Sequence, residues 1–130
     1  MYCLMPNMYM DWKRMTSLND LNGCDLVQSK ILICKINGNN HDRLNYRNIM
    51  HKIYGIIGNR KKIKKTTQLN IEFGEYTEKG YKYIEDLDMS IQGTDAKLTL
   101  REIVNQCTTY KIKLEMKIML NNAMLVELKI

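Results

Sequence analysis

Long apolar runs are missing from this sequence. The longest uninterrupted aliphatic stretch is Ile31-Leu32-Ile33-Cys34, far short of the ~20 residues that a membrane-spanning helix needs. The apolar residues near the start are broken by Pro6, Asn7, Asp11, Lys13 and Arg14, so no signal-peptide core forms. The expectation is a cytoplasmic protein with no membrane partner.

Ligands for metal chemistry are also lacking. The cysteines are Cys3, Cys24, Cys34 and Cys107; none makes a C-x-x-C pair, and neither His41 nor His51 completes a zinc spacing. In a reducing compartment such thiols stay free. Cys34 falls in the aliphatic run and Cys107 on the apolar face of a predicted helix, where cysteine serves as a small core hydrophobe. There is no G-x-x-x-x-G-K-[ST] and no G-x-G-x-x-G, and no Ser or Cys stands with a His and a carboxylate in a known nucleophile order. No cofactor, no metal and no catalytic residue is expected.

What remains is the composition of an ordinary globular chain. At 130 residues it fits one domain, and 45% apolar with 26% charged residues argues against wholesale disorder. Five of the ten methionines lie in the first fifteen residues, at Met1, Met5, Met8, Met10 and Met15. Either the chain starts further along, or these residues with Trp12 form an adaptable apolar arm that packs on a partner. Residues 1–29 have weak periodicity, with a short helical turn expected over Ser17–Leu21, and read as a partly irregular arm. Residues 30–130 read as a single α/β domain.

Within that domain Ile31–Ile36 is apolar on both faces, as in a central strand. Asn37–Asn40 ends it and supplies a helix cap. Tyr46, Ile49, Met50, Ile53, Tyr54 and Ile57 then recur at the helical period, with Gly58 at the left-handed C-terminal position. Leu69, Ile71 and Phe73 alternate as a second strand. Tyr81, Tyr83, Leu87, Met89 and Ile91 define a third, which Glu85 interrupts at a bulge or an edge. Thr99 and Glu102 have the spacing of a capping box, with Leu98 and Ile103 as its staple, opening a second helix. Ile112–Leu120 alternates strictly, and Asn121-Asn122 turns into a last strand, Met124–Ile130. The order β-α-β-β-α-β-β predicts an α+β fold: a ferredoxin-like split βαβ sandwich with an extra C-terminal edge strand.

The densest local feature is Arg60-Lys61-Lys62-Ile63-Lys64-Lys65. Its five cations against a net charge of +6 leave the rest of the chain nearly neutral. Such a run attracts polyanions, because each neutralised phosphate releases counterions. Arg47, His51 and Lys52, on the polar face of the preceding helix, extend the patch; Arg47 and His51, one turn apart, could act together on a phosphate. The bland reading is a solubilising cluster just past a helix C-terminus, favoured by the macrodipole.

Two nucleic-acid modes are set aside. An RNA-recognition motif needs aromatics on the open face of its central strands, whereas Tyr81 and Tyr83 share a face with Leu87 and Met89 and read as core. A rolling-circle initiator needs a His-x-His pair, which is absent. Glu115-Met116-Lys117 with Asp86 and Asp88 suggests a nuclease Mg²⁺ site, but a whole helix separates the two halves.

The working expectation is thus a small non-enzymatic binding protein whose basic segment meets nucleic acid or another polyanion. The alternative is a protein-interaction module, an assembly factor or inhibitor, with a homodimer as one form. It would use the N-terminal arm, an open sheet face with Ile84 exposed, and the last strand as a free edge. The short, Asn- and Lys-rich composition resembles that of viral or mobile-element accessory proteins.

Overall fold

The computed structural model describes residues 13–15, 25–41, 45–121 and 123–130, the first three by backbone path alone. The expected turn over Ser17–Leu21, the methionines from Met1 to Met10, Trp12, Cys3 and Cys24 lie outside the described residues.

The chain is α+β. Strands β1 (Lys13–Met15), β2 (Lys30–Ile36) and β3 (Asn39–Asn40) precede helices α1 (Tyr46–Ile57) and α2 (Arg60–Thr66). Then come β4 (Ile71–Phe73), β5 (Tyr81–Ile84), a 3₁₀ turn (Glu85–Leu87), β6 (Met89–Gln92), α3 (Ala96–Tyr110), β7 (Leu114–Met119) and β8 (Leu125–Lys129).

The ferredoxin-like arrangement would gather the strands into one sheet, but here they divide between two. One sheet runs β1-β8-β7-β2-β3 and the other β4-β6-β5, antiparallel throughout except where β1 lies parallel to β8. The cause is local. The expected long strand over 81–91 reverses at Glu85–Leu87, where Asp88 takes a left-handed φ of 49° and its N–H returns to the Glu85 carbonyl. Aspartate tolerates that conformation better than most residues. Folded back, the two halves pair with each other, and the second of them, β6, pairs with β4.

Alternation places Cys34, Ile36, Leu114, Met116, Ile118, Val126 and Leu128 on the buried face of the five-stranded sheet. Ile71, Met89 and Ile91 do the same in the smaller sheet. Between these sets the stripe of α1 (Ile49, Met50, Ile53, Tyr54) and that of α3 (Leu100, Ile103, Val104, Cys107) complete one continuous core. Ile84, expected on an open face, packs against that core. The C-terminal strand is not a free edge either, since Lys13–Met15 registers against Val126–Leu128.

Two caps differ from expectation. The cap of α1 is Asn45, whose side chain accepts from Asn48 N at 2.8 Å. Asn37-Gly38 instead makes the tight turn into β3, with φ of 51° and 82°, as two-residue hairpin turns require. Helix α3 begins one turn before the expected box: Asp95 caps it, accepting from Leu98 N at 2.8 Å. Thr99 and Glu102 are therefore interior and buried.

Candidate nucleic-acid interface

The basic run is not a loop past the end of α1 but a helix of its own. Gly58 closes α1 at φ 65°, its N–H bonded to Tyr54 O. Asn59 then caps α2, its side chain accepting from Lys61 N at 3.0 Å and Lys62 N at 3.1 Å. Ile63 is wholly buried and pins the helix to the core. From α3, Tyr110 donates its hydroxyl to Lys62 O at 2.9 Å, and Thr66 donates to Gln106 at 3.0 Å. Lys64 and Lys65 occupy the last turn, where cations suit the macrodipole.

Being helical, the five cations part ways. Arg60 and Lys64, one turn apart, both lean over the Phe73 ring of β4, 4.7 and 5.0 Å from its centroid. Arg60 also donates to the backbone and side chain of Asp88 at 2.8 and 3.1 Å, and Lys64 donates to Ile71 O at 3.1 Å. These two hold the helix to the small sheet. Lys61, Lys62 and Lys65 are exposed, and no carboxylate among the described residues forms a salt bridge with them.

The structure splits the other three predicted contacts. Arg47 and His51 turn toward β5 and β6, where with Lys82 they line a small notch floored by Met50 and Ile91. Burial, then the charges of Arg47 and Lys82, lower the His51 pKa below its ordinary 6.5. Lys52 points elsewhere, its ammonium 3.1 Å from His41 Nδ1. Arg60 and Lys64 reach β4 at Phe73 and Ile71, whereas the notch is lined by Lys82 of β5 together with Ile91 and Gln92 of β6.

Three contributors escaped the sequence reading: Lys82, Gly93 and Phe73. Register explains the first. Lys82 and Ile84 oppose Ile91 and Met89, while Tyr81 and Tyr83 oppose Gln92 and Ser90. Opposed residues share a face, so the tyrosines lie opposite the core rather than in it. Tyr83 donates to Asp88 at 2.7 Å, and chiefly that bond pushes its pKa up to about 12. Phe73, expected inward, is 41% exposed beneath its two cations.

The nuclease residues do not meet. Glu115 is 3.8 Å from Lys129 in the large sheet, whereas Asp88 belongs to the small one. Among the described residues no group of carboxylates, histidines and cysteines could hold a metal ion. Cys34 and Cys107 are buried free thiols, pushed up to about 11 and 12, mainly by desolvation. No described helix is long and apolar enough to cross a membrane. Comparisons with protein families, with curated proteins and with solved structures found no match.

Proposed function

We propose that this chain is a nucleic-acid-binding protein that grips the phosphate backbone through α2, with Lys61, Lys62 and Lys65 as its principal contacts. The observation that carries this reading is the pairing of rigidity with unspent charge. The helix is capped, anchored by Ile63 and tied to α3, yet three of its lysines face solvent without ion pairs among the described residues. A merely solubilising cluster needs no such fixed scaffold. Phe73, flanked by Arg60 and Lys64, adds an aromatic surface of the kind on which unpaired bases stack.

The test is binding to random single- and double-stranded DNA and RNA across a salt series. Affinity should fall steeply with salt. Replacing Lys61, Lys62 and Lys65 by Gln should reduce the single-strand log–log slope by about 2, since each phosphate contact contributes about 0.7. Absence of binding at low salt overturns the reading.

One observation favours a second reading, self-association or assembly with a protein. Leu32 and Ile33 are 44% and 37% exposed on β2, which β3 covers only at Lys35 and Ile36. A bulge between Ile31 and Ile33 twists this edge, a device that discourages pairing. Ile33→Lys should dissociate any oligomer seen by sedimentation and leave a monomer unchanged.

A further inference from the structure

We infer that Arg47, His51 and Lys82 form a seat for a phosphate oxyanion, separate from the α2 lysines. Arg47 and His51 share one face of α1, a helical turn apart, and Lys82 meets them from the inward face of β5. The remaining wall is Gln92, Gly93, Thr94 and Thr99, all neutral. Three basic groups thus converge on one opening, and no carboxylate among the described residues lines it.

Like charges brought together around a half-buried imidazole repel one another, and an anion among them offsets that repulsion. Burial first, and then the charges of Arg47 on α1 and Lys82 on β5, depress the His51 pKa; the one titratable side chain of the β6–α3 segment, Asp95, caps α3 and does not line the notch. Gly93 bears on where the guanidinium sits. Its φ is not left-handed, so backbone conformation does not demand glycine there. A Cβ at this position would stand 3.1 Å from Arg47 Nη2, close enough that the guanidinium would have to shift by a few tenths of an ångström. The missing side chain lets the guanidinium lie against the backbone.

Size narrows the ligand. The notch has about 10 Å³ in which the centre of a water-sized atom fits, room for one oxygen. A tetrahedral oxyanion can seat one oxygen there and leave the others at the mouth, within reach of the guanidinium fork and the ammonium. That the phosphate belongs to a bound nucleic acid rests on the function proposed above; affinity for the oxyanion itself does not.

The experiment titrates the intact chain with inorganic phosphate at constant ionic strength, following the ring protons of His51 and His41 by NMR. A saturable shift at His51 alone is expected, with its pKa raised because the anion favours the protonated ring. Arg47→Gln and Lys82→Gln should each weaken the response about tenfold or more, as loss of a charge-assisted bond does. Gly93→Ala should weaken it with every charge retained. Equal or non-saturating shifts at both histidines overturn the proposal. The variant lacking Lys61, Lys62 and Lys65 should keep the phosphate response while losing oligonucleotide affinity. Phosphate binding without oligonucleotide binding leaves the seat standing and removes the nucleic acid as its source. Oligonucleotide binding with no phosphate response at His51 removes the seat alone.

Discussion

Glu102 shows how far one residue's role depends on its surroundings. In the sequence it has the spacing of a solvent-facing capping partner. In the structure it is wholly buried and accepts from Tyr54 Oη at 2.5 Å, Gln68 N and Gln106 Nε2 at 3.2 Å, and the Thr67 hydroxyl. A buried carboxylate is tolerable only with such a full set of donors. The same bonds join α1, α3 and the segment after α2. Burial, and then the neighbouring carboxylate, push the Tyr54 hydroxyl upward. Tyr54→Phe and Glu102→Gln should each lower stability by about 1–3 kcal/mol in denaturant titrations, because each leaves a buried polar partner unmatched. His51 supplies a pH dependence. Its folded pKa lies below the ordinary 6.5, so between the two values the unfolded chain binds more protons. Stability should therefore rise with pH up to about 6.5 and gain nothing more from this group above it. His51→Gln should flatten that part of the stability profile.

At the scale of elements, the corner between α1 and α2 decides where the cations go. Gly58 holds the left-handed φ of 65°, and Asn59 satisfies two N–H groups at the start of α2. Asn59→Ala should cost about 1 kcal/mol, and Ile63→Ala, which removes the buried anchor, about 2–5 kcal/mol. Both are measurable by thermal or chemical unfolding. Either change should also weaken oligonucleotide binding though no lysine is altered, since a frayed α2 no longer presents its charges in one fixed set. The periodicity of 46–57 and the glycine after it made α1 legible from sequence to within a residue. Helix α2 was not legible, because one apolar residue among five cations has no stripe. Only the Asn-cap spacing, Asn59 ahead of Lys61 and Lys62, could have signalled it.

For the whole molecule, the decisive feature is the division of the strands between two sheets that share one core. Residues 13–15 close the β8 side of the larger sheet. A chain lacking residues 1–15 should expose that edge and associate with increasing concentration in sedimentation velocity, while the full chain does so less. Both basic groups border the small sheet, Arg60 and Lys64 of α2 over β4 and the Arg47–His51–Lys82 notch against β5 and β6.

The sequence by itself determined the α+β class, the buried stripes of α1 and α3, the alternating faces of β7 and β8, the core placement of Cys34 and Cys107, and the concentration of charge at 60–65. Each of these is a matter of local period or composition, which a chain carries wherever it folds. Only the tertiary structure decided that Glu102 lies inside, that Lys82 faces Arg47 and His51, and that Arg60 and Lys64 are held by Phe73, Asp88 and Ile71. These are pairings between residues distant along the chain. They hang on a reversal at Glu85–Leu87 whose turn residues, read locally, fit an interrupted strand as well as a hairpin, and only strand register chooses between the two.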